Sequence, residues 1–238
     1  MMPVENRMRA AFKRLFDMTC AAAGLLLLLP ALIAFAFSIL WDDGFPCIFR
    51  QTRVGRNGKP FLIWKFRTMR VASLGNPITQ AGDRRITRVG AWLRRLKLDE
   101  LPQLVNVLKG DMSLIGPRPE VPEFVQEDDP LWKAVLAVRP GITDVASLLY
   151  RDEEAILSAF EDPCASYRET ILPAKLRLNV AYLNSRNTWR DLKLIWLTVR
   201  YSLFPESLDH NRVAGILDAQ IKIYDGNHFY SIPPSVRG

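Results

Sequence analysis

Histidine is nearly absent from this sequence, with only His210 and His228 in 238 residues. That excludes a histidine-rich metal centre and leaves Ser–His or Cys–His nucleophile pairs little to draw on. Cysteine is scarce as well, and Cys20, Cys47 and Cys164 stand far apart. No disulfide framework or zinc-ligand spacing can be drawn from them, which suits a reducing compartment. Internal repeats and low-complexity tracts are missing, so the length reads as one ordinary domain or a domain with an appendage.

Charge is in surplus on one side: 32 Lys and Arg against 25 Asp and Glu, a formal net charge of +7. A basic balance suits nucleic acid, an anionic membrane surface or a phosphorylated substrate. No nucleic-acid recognition motif is present, and a long apolar run counts against that class.

The apolar run covers residues 18–41, uncharged throughout and closed by Asp17 and Asp42. At about 1.5 Å per residue it is long enough for a hydrocarbon core of roughly 30 Å. It is too long for a signal peptide, and no small-residue cleavage site follows it. Hydropathy alone reads it as one spanning helix. Two features favour a re-entrant helix–break–helix instead. Pro30 lies mid-run, where it removes a backbone donor and crowds the preceding turn. Cations flank both ends: Arg7, Arg9, Lys13 and Arg14 before, then Arg50, Arg53, Arg56 and Lys59 after. The positive-inside rule keeps both flanks in the cytoplasm, which a single span cannot satisfy.

Residues 47–53 and 60–67 read as strands around the Gly55-Arg56-Asn57-Gly58 turn, a hairpin signal. The second strand ends in Lys65-Phe66-Arg67, two cations on one strand face. Residues 74–82 read as a loop. Residues 84–98 read as a basic amphipathic helix with Ile86, Val89, Leu93 and Leu96 on one stripe. Its cationic face suits bulk solvent or lipid head groups equally. A helix over 99–109 follows, with Asp99 as N-cap, Pro102 in the first turn and Gly110 as the stop. Pro117, Arg118 and Pro119 form a stiff loop presenting one cation, and Arg139-Pro140-Gly141 presents another. Further helices are expected over 152–160, 163–185 and 189–203. The last of these carries Leu192, Ile195, Trp196, Val199 and Leu203 on one face, core or interfacial. Residues 205–238 carry no recognisable motif.

Asp99 and Glu100 at a helix start are explained structurally by capping and the helix dipole. Their neighbourhood argues for chemistry. A basic helix and a Lys/Arg strand precede them and an Arg-bearing loop follows. A carboxylate at a helix N-terminus stays ionised, which suits a nucleophile or a magnesium ligand, and guanidinium groups clamp phosphate. The acidic run Asp152-Glu153-Glu154 after Arg151 also opens a helix and reads mainly as capping or ion pairing.

Lys13-Arg14-Leu15-Phe16-Asp17, Lys65-Phe66-Arg67-Thr68-Met69, Leu98-Asp99-Glu100-Leu101-Pro102-Gln103-Leu104, Asn106 to Ser113, Ile115-Gly116-Pro117-Arg118-Pro119 and Arg139-Pro140-Gly141-Ile142-Thr143 occur in that order. Together they resemble the bacterial sugar transferases, monotopic phosphoglycosyl transferases, over roughly residues 10 to 203. The resemblance implies transfer of a sugar-1-phosphate from a UDP-sugar to undecaprenyl phosphate, with release of UMP. It implies Asp99 as covalent nucleophile, and Asp99 with Glu100 in binding Mg²⁺ and handling protons. Pro117, Arg118 and Pro119 would meet the nucleotide sugar, and Lys65, Arg67 and Arg139 would stabilise phosphate charge. It also implies the inner leaflet of a bacterial cytoplasmic membrane, with the catalytic part facing the cytoplasm and downstream glycan-assembly enzymes as partners.

Three departures stand out. Leu29 precedes the membrane-helix proline where family members often have Ser. Asp144-Val145-Ala146-Ser147 replaces the common Gly-Trp-Ala-Gln, which marks a subgroup. The extra N-terminal spanning helices of larger members are missing, as expected of a minimal catalytic form. The expected fold is mainly α with one β-hairpin: a basic segment and re-entrant anchor over 1–42, a catalytic domain with amphipathic interfacial helices over 43–204, and an extension over 205–238. A membrane scaffold that recruits glycan-assembly partners without catalysis is the alternative.

Overall fold

A computed structural model describes residues 4–70, 79, 82–217, 221–224 and 229–232. Most of the loop expected over 74–82 lies outside the described residues, as does part of the segment after 217. Helix α1, Val4–Asp43, comes first and contains Pro30. A hairpin follows, β1 (Ile48–Val54) against β2 (Pro60–Phe66), antiparallel with Gln51 opposite Ile63. Its turn places Asn57 at φ 59° and Gly58 at φ 73°, the left-handed region these two residue types tolerate best. The hairpin was legible in the sequence to within a residue.

Helix α2 (Arg88–Arg95) is shorter than the expected 84–98 because Thr87 caps it, its hydroxyl accepting from the Gly90 amide. Helix α3 (Gln103–Lys109) ends at Gly110, φ 93°, as the sequence indicates. Beyond it lie β3 (Ser113–Ile115), α4 (Pro130–Leu136), β4 (Gly141–Thr143) and α5 (Val145–Leu149). Helices α6 (Glu153–Leu157), α7 (Pro163–Ser166), α8 (Leu172–Ser185), α9 (Thr188–Leu203) and α10 (His210–Ala214) complete the helical set, and β5 (Ile221–Tyr224) pairs antiparallel with β6 (Phe229–Ile232). A π-turn over Tyr167–Ile171 joins α7 to α8.

Strands β3 and β4 form a short parallel pair that periodicity does not reveal. Gly116 and Gly141 make it possible. A Cβ on Gly141 would stand 2.1 Å from the Gly116 amide nitrogen, and one on Gly116 would stand 2.5 Å from the Arg139 carbonyl oxygen. The two Pro/Gly-punctuated loops therefore run side by side.

The main core gathers α4, α5, α8 and α9 around Ile171, Tyr182, Leu194, Leu197 and Tyr201. Val213, Ala214, Ile216 and Leu217 are buried in it, so the first part of the expected extension is core. On α9 the buried stripe is Leu194, Leu197 and Tyr201. Leu192, Trp196, Val199 and Leu203, which the sequence groups on one apolar face, point outward with Trp189. This helix is apolar on two sides.

Helix α1 stays helical through Pro30, so the expected break is not an interruption of secondary structure. Both of its halves dock on the same body. Near its start, the Arg14 guanidinium donates to the Val107 and Leu108 carbonyls at the end of α3, and Asp17 accepts from the Ser113 hydroxyl at 2.7 Å. Ala21 and Leu25 pack with Leu104 and Val107. Near its end, Ile39 packs with Phe66 and Leu93, and Asp42 accepts from the Val89 amide at 3.0 Å. Between these anchors Leu26, Leu27, Ile33 and Phe37 are exposed.

Candidate active site

The paired carboxylates Asp99 and Glu100 do not begin a helix in the manner expected. They occupy a separate 3₁₀ turn, Leu98–Glu100, and Asp99 caps nothing; the residue before α3 is Pro102, with no side-chain cap. The turn is entered through Lys97, whose backbone is left-handed (φ 56°, ψ 24°). That reversal lets α2 end and the dyad turn inward, where Asp99 and Glu100 are both buried.

Strand β2 brings Lys65 to the dyad. Its ammonium donates to Glu100 Oε1 at 3.1 Å. The loop after β3 brings Arg118, whose guanidinium grips the same carboxylate two-pronged: Nη1 donates to Oε2 at 3.0 Å and Nη2 to Oε1. Burial by itself drives the Glu100 pKa up, but Arg118 and then Lys65 outweigh it and hold Glu100 well below the usual carboxylate range. Burial pulls Lys65 down to about 8, against the opposing pull of Glu100.

Asp99 is treated very differently. Its side chain makes no hydrogen bond or ion pair among the described residues, and Oδ1 is buried without a partner. Burial raises its pKa, with the Glu100 charge adding to the rise; Lys65, Lys97 and Arg94 oppose it. The expectation that a helix N-terminus keeps Asp99 readily ionised is thereby corrected: no helix starts there, and desolvation dominates.

Arg118 is positioned by a residue not counted among the expected site residues. The Asp144 carboxylate accepts from the Arg118 amide at 2.7 Å while capping α5 through the Ser147 amide at 2.6 Å and hydroxyl at 3.2 Å. Asp144 is fully buried, and burial raises its pKa. The signal available in the sequence was that Asp occupies a site where the related pattern has Gly.

Pro117 and Pro119 flank Arg118 in a small cleft with Val54, Trp132 and Val138. Two further expected phosphate ligands are placed elsewhere. Arg67 is buried against the end of α1, donating to the Asp43, Gly44 and Phe45 carbonyls at 2.8, 2.6 and 3.2 Å. It ties off the last turn of that helix, where carbonyls lack partners. Arg139 donates to the Gly110 carbonyl at 3.0 Å and lies in the field of Arg56, Arg14 and Asp17. Arg94, carried on α2, pairs with Glu154 and donates to the Thr68 hydroxyl at 3.3 Å. Glu153 pairs with Lys175 at 2.6 Å, so the second acidic run is ion-paired as read from the sequence.

Residues 8–205 match the family model described as bacterial sugar transferase. The chain belongs to that family. It is 37% identical over 193 residues to a UDP-glucose:undecaprenyl-phosphate glucose-1-phosphate transferase of Escherichia coli K12, covering 79% of this chain and 39% of that one. The corresponding transferase of Caulobacter vibrioides is 37% identical over 194 residues, covering 79% and 68%. An uncharacterized sugar transferase, EpsL, of Bacillus subtilis is 38% identical over 203 residues, covering 82% and 89%. The chain spans about two fifths of the length of the Escherichia coli and Klebsiella pneumoniae relatives. In this sugar transferase the polar centre contains one carboxylate saturated by cations beside one left without a partner.

Proposed function

We propose that this chain transfers a sugar-1-phosphate from a UDP-sugar to undecaprenyl phosphate and releases UMP, with Asp99 as covalent nucleophile. The observation that carries the reading is the asymmetry of the dyad. Glu100 has both oxygens engaged by Arg118 and Lys65, whereas Asp99 has none engaged. A carboxylate that is to form a bond must have an oxygen to give.

In the first step an Asp99 oxygen attacks the sugar-bearing phosphorus. The bond from that phosphorus to the bridging oxygen breaks, and UMP leaves with that oxygen. In the second step a phosphate oxygen of the lipid attacks the same phosphorus. The acyl phosphate bond breaks, the Asp99 carboxylate is restored and a lipid diphosphate sugar results. Arg118 and Lys65 hold Glu100 ionised and supply positive charge beside the reacting phosphates. The relatives are named for glucose-1-phosphate and N-acetylgalactosamine phosphate transfer onto undecaprenyl phosphate, so the sugar varies while the acceptor recurs.

Mg²⁺ fits this site through one carboxylate. The unpartnered Asp99 oxygen suits a hard cation that takes its remaining ligands from phosphate and water, whereas Glu100 is already saturated. Among the described residues no three acidic, His or Cys side chains cluster to make an all-protein cage. When bound, the ion supplies charge neutralisation between two polyanions.

The anchor is re-entrant in this proposal. The support is that both flanks of the apolar run bond to one body, through Asp17 at one end and Asp42 at the other. A straight crossing would drag that body into the bilayer. The outward Trp189, Trp196, Val199 and Leu203 of α9, with Trp41 and Phe45, suit an inner-leaflet surface. The catalytic part then faces the cytoplasm of a bacterial cell, and enzymes that extend the lipid-linked sugar act next.

The test is UMP release from a panel of UDP-sugars supplied with undecaprenyl phosphate. Asp99→Asn is expected to abolish it. Because the folded pKa of Asp99 lies above its unfolded value, ionised Asp99 costs stability at neutral pH. That cost is absent below about pH 4 and grows as pH rises through the folded pKa. The variant should therefore unfold no earlier than wild type at neutral pH, which separates lost chemistry from lost fold. Full UMP release by Asp99→Asn overturns the nucleophile; no release by the wild type from any UDP-sugar returns the chain to a scaffold.

A further inference from the structure

The cations around Asp99 divide into committed and uncommitted groups. Lys65 and Arg118 are bound to Glu100. Arg94 is paired with Glu154. Arg151, whose field reaches Glu100, donates to the Arg95 carbonyl at 2.9 Å. Lys97 is different. Its side chain has no hydrogen bond or ion pair among the described residues, yet its charge acts on both Asp99 and Glu100. The residue is partly exposed rather than sealed in the core.

The backbone at Lys97 adds a second, independent observation. Lys97 adopts φ 56° and ψ 24° where α2 ends, with its amide donating to the Arg94 carbonyl at 3.0 Å. This helix-ending left-handed position is ordinarily taken by glycine, because any Cβ is strained there. Asn57 is the other non-glycine residue with positive φ among the described residues, and asparagine tolerates that region far better than lysine. A lysine in this place sacrifices backbone ease for its side chain. Strain of this kind points from an observed outlier towards a role.

Resting on the transferase reading above, we infer that Lys97 is a substrate-binding residue whose ammonium binds a phosphate oxygen of the UDP-sugar diphosphate beside Asp99. Among the described residues around Asp99 it is the cation left without a partner, available to an anion that arrives from outside. The left-handed backbone delivers it two residues before the nucleophile, on the turn that carries both carboxylates. Its ligand is the non-bridging oxygen of a phosphate held at Asp99, where positive charge answers the charge that Glu100 takes from Arg118 and Lys65.

Lys97→Gly tests this because structure and binding pull in opposite directions. Glycine relieves the left-handed backbone, so the melting temperature should hold or rise. Loss of a charge-assisted hydrogen bond should lower kcat/KM for the UDP-sugar by roughly 10- to 100-fold. Lys97→Asn, which also tolerates the backbone, should lose activity likewise, and Lys97→Arg should retain most of it. Direct titration of UDP-sugar onto Asp99→Asn with and without Lys97→Gly reads binding without turnover, and weaker binding is expected in the double variant. Wild-type kcat/KM in Lys97→Gly or Lys97→Asn overturns the assignment, as does an equal loss in Lys97→Arg. Failure of the wild-type chain to release UMP at all would instead overturn the transferase reading.

Discussion

Replacing Asp144 by Ala tests whether the arginine at the dyad is held by its backbone. Asp144 makes three bonds: to the Arg118 amide at 2.7 Å, the Ser147 amide at 2.6 Å and the Ser147 hydroxyl at 3.2 Å. Losing the cap of α5 costs about 1 kcal/mol. Stranding the Arg118 amide, a part-buried donor, costs a further 1–3 kcal/mol or so. Part of this is offset, because burial already raises the Asp144 pKa and its carboxylate is expensive to keep ionised. A net loss of about 2 kcal/mol is expected, and for a chain of this size that lowers the melting temperature by roughly 4–8 °C.

The functional effect should exceed the structural one. Arg118 reaches Glu100 through a two-pronged contact that tolerates little displacement. An ångström of drift at such a clamp costs up to about 100-fold in rate. Measured well below the variant's transition, kcat/KM should fall about tenfold or more. Asp144→Asn keeps one acceptor for either the Arg118 or the Ser147 amide, so it should fall between Ala and wild type in both readings. If Asp144→Ala melts early but keeps wild-type kcat/KM, Asp144 is a helix cap and nothing more.

Two further outcomes are expected. Burial pulls the Lys65 pKa down to about 8, so activity should decline as pH rises through 8, when Glu100 loses that partner; Lys65→Arg should move the decline above about pH 10. The accompanying stability change has the opposite sign. The folded chain holds fewer protons than the unfolded one between about pH 8 and 10.4, so folding is favoured as pH rises across that window. For the anchor, Ala11→Cys and Thr52→Cys, exposed positions on either side of the apolar run, in a background lacking Cys20, Cys47 and Cys164 should both react with an impermeant maleimide from the cytoplasmic face only. Labelling of either from the opposite face refutes the re-entrant anchor.

Much of the fold was legible because its signals are local. The hairpin declares itself through Asn57 and Gly58, the end of α3 through Gly110, and the existence of α9 through the periodic Leu192, Trp196, Val199 and Leu203, although the stripe it buries is Leu194, Leu197 and Tyr201. What escaped the sequence depends on partners far along the chain. The β3–β4 pair exists because Gly116 and Gly141 let two backbones approach, and neither glycine announces the other. Arg67 and Lys65 look equivalent on one strand face. Arg67 caps α1 and Lys65 meets Glu100, although both lie at the same end of β2, a division fixed by which distant element each side chain reaches. In the sequence Lys13, Arg14 and Asp17 stand out only as charges flanking the apolar run and as part of a pattern. In the fold Lys13, Arg14 and Asp17 fasten α1 to α3 and β3. Lys97 was one cation among many on a basic helix until its backbone set it apart.

Two adjacent carboxylates in one buried turn cannot both be ionised without compensation, and the chain compensates only one. Arg118 and Lys65 converge on Glu100 and leave Asp99 to burial and to the more distant fields of Lys97 and Arg94. Environments that push a pair of pKa values apart assign the two groups different work. Glu100, held ionised by two cations, behaves as a fixed counter-charge that keeps those cations in place between turnovers. Asp99 has unspent bonding capacity, and its ionised form gains most when a cation or a phosphorus centre arrives. The same reasoning gives Glu100→Gln a definite consequence. It frees Arg118 and Lys65 from their anchor and removes a charge that opposes ionisation of Asp99, so the pKa of Asp99 falls while the proposed clamp on the phosphates loosens. Under the proposed mechanism, an Asp99 easier to ionise and yet slower to react is the signature of a dyad whose second member positions cations rather than moving protons.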